Sequence, residues 1–129
     1  MGEGGSNGRI VAVVDDDESV RVAIRSLLRS VGFRVEVFAS AESFLDARHD
    51  GIACLIVDVR LTGMSGLDLQ RQLAAAGDAP PVVFISAHDD PVARRQALGA
   101  GALAFLRKPF PERALIDAVR SAFGRPARS

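Results

Sequence analysis

Cysteine occurs once, at Cys54, so no internal disulfide can form. The residue sits inside an apolar run, where a thiol packs as a small hydrophobe, and a reducing, cytoplasmic setting is the expectation. Tryptophan and tyrosine are absent, so aliphatic side chains and phenylalanine must fill the interior. At 48% hydrophobic residues, a chain of 129 residues has enough of them for one domain with a single core. Neither sign of charge is in excess: 16 basic residues face 16 acidic ones. That balance gives no electrostatic basis for direct binding of nucleic acid or a membrane surface. No apolar run approaches the roughly 18 residues of a membrane span. The N-terminus has no basic region followed by an apolar core, so no secretory signal is read there.

What the chain does have is a set of short apolar runs that end in polar groups. Ala53 to Val57 is apolar without alternation, as in a parallel strand covered on both faces, and it stops at the carboxylate of Asp58. Val59 to Ser65 then reads as a loop, with Ser65 placed to cap the next helix. A charged group at the carboxyl end of a central parallel strand lies where open α/β sheets bind ligands. Taken alone, Asp58 reads first as a strand end facing water, and only matching chemistry from other strand ends changes that.

In chain order, residues 1–8 read as a flexible leader. Ile10 to Val14 is a second continuous apolar strand, ended by Asp15, Asp16, Asp17 and Glu18. Val20, Ile24, Leu27, Leu28 and Val31 recur at helical spacing, with Arg21, Arg25 and Arg29 on the opposite face. Arg34 to Phe38 alternates as a half-exposed edge strand would. A short helix capped by Ser40 follows and buries Phe44 and Leu45. A helix over about 65–76 buries Leu69 and Leu73, then Pro80-Pro81 precedes the strand Val82 to Ile85, which ends in Ser86. A helix over about 90–98 leads to a fifth strand, Ala102 to Leu106, and to Arg107-Lys108-Pro109. The last helix starts near Pro111 and stops at Gly124, leaving 125–129 as a basic tail or linker start.

Five βα units with short connections and right-handed crossovers give an α/β fold, a doubly wound parallel sheet. In the flavodoxin-like order 2-1-3-4-5, strands one and three are neighbours at the switch point. That order brings Asp15, Asp16, Asp58, Ser86 and Lys108 to one sheet edge. Each carboxylate pair at about 4 Å would repel by roughly 4 kcal/mol at an effective dielectric of about 20. A hard cation with oxygen ligands answers that repulsion, and Mg2+ takes one or two carboxylates plus waters and phosphate oxygens. A metal, a nucleophilic carboxylate, a hydroxyl and an ammonium are the parts phosphoryl transfer requires. Singly, the acidic run reads as a favourable helix start, Ser86 as a loop hydroxyl and Lys108 as a solvated cation.

Val-Val-Asp-Asp-Asp-Glu at 13–18, Ile-Val-Asp-Val-Arg-Leu at 56–61, Gly-Met-Ser-Gly at 63–66, Ser86-Ala87 and Lys108-Pro109-Phe110 together resemble the receiver domain of two-component response regulators. The likeness spans residues 9–124 and is greatest to receivers that precede helix-turn-helix output domains. The resemblance implies that Asp58 accepts a phosphoryl group from a phosphohistidine on a sensor histidine kinase. It implies that Asp16, Asp58 and the backbone carbonyl of Arg60 ligate Mg2+, with Asp15 holding a metal-bound water. Lys108 would pair with the phosphoryl oxygens, aimed by a cis peptide to Pro109. Ser86 would hydrogen-bond the phosphoryl group, and Phe105 would turn inward as Ser86 moves, switching the face of helix four, strand five and helix five. Arg60, Ala87 and His88 would set access to the pocket. A phosphorylation-dependent homodimer through that face is the expected output.

The sequence departs from the family pattern at Thr62, where a proline is common, and the expectation is a looser loop. Other readings are a single-domain adaptor or phosphate sink, and an aspartyl-phosphate phosphohydrolase. Phosphohydrolases of that type carry a second acid two residues after the nucleophile, where this chain has Arg60. A flavodoxin would need a Ser/Thr-rich phosphate loop after strand one, where the acidic run stands. The module is therefore expected to catalyse only its own phosphorylation and dephosphorylation. The sequence fits a complete regulator and the front half of a transcription factor equally well.

Overall fold

The computed structural model describes residues 9–47, 51–77 and 79–124. The leader at 1–8 and the tail at 125–129 lie outside them. Elements alternate throughout: β1 (Ile10–Val14), α1 (Glu18–Ser30), β2 (Arg34–Phe38), α2 (Ala41–Ala47), β3 (Ile52–Asp58), α3 (Gly66–Ala75), β4 (Val82–Ser86), α4 (Pro91–Gly99), β5 (Ala104–Arg107) and α5 (Glu112–Phe123). All strand pairs are parallel and the order is β2-β1-β3-β4-β5, the doubly wound flavodoxin-like arrangement.

Successive residues of a strand point to opposite faces, so an unbroken apolar run needs a cover on each side. Val11, Val13, Cys54, Ile56, Val83 and Ile85 pack with Ile24 and Leu28 of α1 and Leu115 and Val119 of α5. Ala12, Val14, Leu55, Val57 and Phe84 pack on the other face, against Phe44 of α2, Leu69 and Leu73 of α3, and Ala93 and Ala97 of α4. Burial pushes the Cys54 thiol up to about 12, which makes it an inert core group.

Three local expectations are corrected. The fifth strand is Ala104–Arg107 rather than Ala102 to Leu106, because Ala102 N–H is drawn back to the carbonyl of Ala97 at 3.0 Å. Val31 caps the end of α1 and is 37% exposed, having left the helical periodicity that would have buried it. Arg21 is half-buried rather than on a solvated face, and its Nη1 donates to the carbonyl of Asp15 at 2.7 Å. The first turn of α1 leans over the end of β1, so a position polar by periodicity reaches the sheet edge.

Candidate phosphoryl-transfer site

The carboxyl ends of β1 and β3 lie side by side, with Val14 opposite Val57. One step further along each strand bring Asp15 and Asp58 together. Asp15 is fully buried: Oδ1 accepts the Asp17 N–H at 2.9 Å and Oδ2 accepts Lys108 Nζ at 3.0 Å. Burial raises its pKa above the ordinary carboxylate value and repulsion from Asp58 adds to this, against the hydrogen bonds from Asp17 and Lys108. Asp58, 7% exposed, accepts the Arg60 N–H on Oδ1 at 2.9 Å and Lys108 Nζ on Oδ2 at 3.1 Å.

Lys108 follows β5 directly. Its N–H donates to the Ser86 carbonyl at 2.7 Å, and its bond to Pro109 is cis. Its ammonium thus bridges two carboxylates carried by different strands. Burial works to lower the Lys108 pKa, but the hydrogen bonds and charges of Asp15 and Asp58 outweigh it and the pKa is raised. Asp16 completes the cluster, since Asp15, Asp16 and Asp58 each offer a carboxylate oxygen within 4.8 Å of the others. Three carboxylates against one ammonium leave an excess of two negative charges, and every donor in the set is oxygen. A hard divalent cation fits that charge and that donor chemistry.

Ser86 stands at the end of β4, 1% exposed, but its hydroxyl is turned onto its own loop. It donates to the His88 carbonyl at 2.9 Å and accepts the His88 N–H at 3.1 Å. Ala87 and His88 are exposed. Arg60 does not hang free over the cluster, because its guanidinium lies 3.5 Å from Asp90, which caps α4 by accepting the Ala93 N–H. Phe105 requires a correction. Its ring was expected to turn inward only as Ser86 moved. Here it is already buried at 8% exposure, 6.3 Å from the Phe84 ring, while Ser86 remains bound to His88. Arg94 holds it there, with Nη1 donating to the Phe105 carbonyl at 3.2 Å and the guanidinium 5.9 Å from the ring centroid.

Two contacts on the loop after β3 have no counterpart in the sequence reading. Thr62 donates both its N–H (3.3 Å) and its hydroxyl (3.1 Å) to Asp16 Oδ2, so it ties the loop down instead of loosening it. Glu42 of α2 accepts the Met64 N–H at 3.0 Å, which lowers its pKa. Gly63 lies between them at φ +82°, where a Cβ would fall 2.8 Å from the Glu42 carboxylate. No periodicity or motif marks these partners, because they are separated by 46 and 22 residues and meet only through the fold.

Among the described residues no helix is long and apolar enough to cross a membrane. Residues 11–120 match the response regulator receiver domain. The chain is 47% identical over 114 residues to the response regulator protein TmoT of Ectopseudomonas mendocina, covering 88% of this chain and 52% of TmoT. It is 41% identical over 121 residues to the transcriptional regulatory protein FixJ of Azorhizobium caulinodans, covering 91% of this chain and 56% of FixJ. The chain thus spans about half the length of these curated relatives. Among solved structures, FixJ-N superposes with a TM-score of 0.85 at 32% identity, over 94% of this chain and 98% of that one. With a match that spans the sheet and the strand ends forming the cluster, the chain belongs to the response regulator receiver domain family.

Proposed function

We propose that this chain is the phosphoacceptor module of a two-component system, taking a phosphoryl group from a sensor histidine kinase onto Asp58. The observation that carries the reading is the Lys108 ammonium held at once on Asp15 and Asp58, beside the exposed carboxylate of Asp16. A carboxylate offers about four lone-pair sites, so Asp58 retains some for attack beyond those used by Arg60 N–H and Lys108. Attack on the phosphorus of a phosphohistidine forms a P–O bond and breaks the P–N bond, and the imidazole leaves with the electron pair. Lys108 lies at hydrogen-bond distance from the acceptor carboxylate, where it can pair with the anionic oxygens that arrive.

Mg2+ is the metal proposed, with Asp16, Asp58 and the Arg60 carbonyl as ligands and Asp15 on a bound water. When bound it would neutralise charge on the phosphoryl oxygens. The acid that would make the site a phosphohydrolase is missing at Arg60, and the module is proposed to turn over only its own phosphoryl group. A cytoplasmic setting belongs to the same reading.

Output is proposed to pass through α4, β5 and α5. For Ser86 to reach a phosphoryl oxygen it must release the His88 carbonyl, and for Arg60 to do so it must release Asp90. Both exchanges act on residues 86–90, which lead into α4. The exposed face beyond them carries Arg95, Arg107, Arg113 and Arg120 with Gln96 and Asp117, a polar surface suited to a twofold dimer. Intact-mass measurement after incubation with Mg2+ and acetyl phosphate tests the site. One phosphoryl group is expected on the wild type and none on folded Asp58→Asn, and equal phosphorylation of both would remove Asp58 from its role. Sedimentation with and without beryllofluoride tests the output, and an unchanged monomer at high concentration would defeat the dimer.

A further inference from the structure

The loop 59–65 is anchored on both sides of Thr62. Arg60 N–H is held by Asp58 Oδ1, Gly66 N–H by the Val59 carbonyl at 3.0 Å, and Met64 N–H by Glu42. Thr62 lies inside these anchors and directs two donors at one atom, Asp16 Oδ2. Asp16 is exposed and sits on the connection between β1 and α1, where a carboxylate left to itself would sample several rotamers. Among the described residues no hydrogen bond falls on its other oxygen, Oδ1. Thr62 therefore fixes the carboxylate through one oxygen and leaves the lone pairs of the other unused. A proline at position 62 would supply neither the N–H nor the hydroxyl.

We infer that Thr62 is a positioning residue for Asp16, holding that carboxylate ready for the divalent cation and so setting the affinity of the site for it. The inference rests on the metal reading given above. Partners that orient a metal ligand typically change affinity by 10–100-fold when removed. A valine at 62 deletes the hydroxyl and keeps the backbone N–H, so the low end of that range, about tenfold, is expected.

The test is titration of the full chain with MgCl2, followed by isothermal calorimetry and by backbone amide shifts in NMR, since there is no Trp or Tyr to report. Thr62→Val should bind Mg2+ about tenfold more weakly. Thr62→Ser, which keeps both donors, should bind near the wild-type level. Thermal unfolding in EDTA should be nearly the same for all three proteins, while the rise in Tm on adding Mg2+ should be smaller for Thr62→Val. Equal or tighter binding by Thr62→Val, or failure of Thr62→Ser to restore affinity, would overturn the inference and leave the metal reading standing. Absence of Mg2+ binding by the wild type, or binding unchanged in Asp16→Ala, would overturn both.

Discussion

Gly66 opens α3 directly behind Asp58, the proposed phosphoacceptor, and replacing it with alanine gives a sharp test of how tightly that corner is built. A Cβ at this position would fall 2.3 Å from the Asp58 carbonyl oxygen, 3.1 Å from its carbonyl carbon and 3.2 Å from Cε1 of Phe84. Two of these atoms are backbone, so the clash can be relieved only by moving the start of α3 away from β3 by more than about 1 Å, to an ordinary van der Waals separation of about 3.5–4.0 Å. That movement strains the Gly66 N–H to Val59 hydrogen bond, worth about 1 kcal/mol net. Overpacking of this kind costs about 1–3 kcal/mol, and the better helix propensity of alanine returns about 1 kcal/mol at most. The net expectation is a loss of about 1–3 kcal/mol, or roughly 4–12 °C in Tm for a domain of this size. Urea and thermal unfolding followed by far-UV circular dichroism would measure it. Gly99→Ala is the control, since among the described residues nothing lies within 4 Å of a Cβ there and the change should be neutral or mildly stabilising. Because the shift falls on the residue that carries the acceptor, phosphorylation by acetyl phosphate should also slow, by up to about 100-fold. A Gly66→Ala protein as stable as the wild type and phosphorylated at the same rate would refute the reasoning.

Arg60 and His88 lie two residues beyond Asp58 and Ser86, and replacing both with alanine should alter the rate at which the phosphorylated protein decays. Identical decay in wild type and double mutant would take them out of the mechanism. Arg94→Met should keep an apolar cover over Phe105 but lose the hydrogen bond to its carbonyl, at about 0.5–1.5 kcal/mol in urea unfolding. No loss would mean that the α4 to β5 strap contributes nothing. The Glu42 pKa is lowered from 4.5 by the Met64 N–H, so its contribution to stability is complete above about 4.5 and fades as pH falls through the lowered value. Glu42→Gln should therefore be less stable than the wild type at pH 7, with the gap closing in acid. A gap that persists unchanged at low pH would show that the effect is not electrostatic.

The strand-end groups of the candidate site were legible in the sequence and the contacts that hold them were not, for a physical reason. In a doubly wound sheet every central strand is covered on both faces, so each appears as a continuous apolar run, and the first polar residue after it must emerge at one edge. Asp15, Asp58 and Ser86 follow from that geometry, and Lys108 emerges one residue beyond β5 despite the shifted strand limits. The groups that hold this set in place obey no such period. Thr62 meets Asp16, and Glu42 meets Met64, across loops whose paths depend on several anchors at once. Gly66 belongs to the Gly-Met-Ser-Gly motif at 63–66, and nothing in that motif marks the Asp58 carbonyl that lies where its Cβ would stand. Phe105 and Arg94 show the same limit in the core, since neither the burial of the ring in this state nor the cation beside it follows from the strand pattern. Strand ends thus determine which carboxylates and which ammonium meet. The loops determine how firmly Asp16 and Asp58 are held. Two receivers with the same strand ends can therefore share the reaction proposed above and differ in metal affinity and phosphoryl lifetime, and in this chain residues 60–66 and 86–90 are where the proposal places such differences.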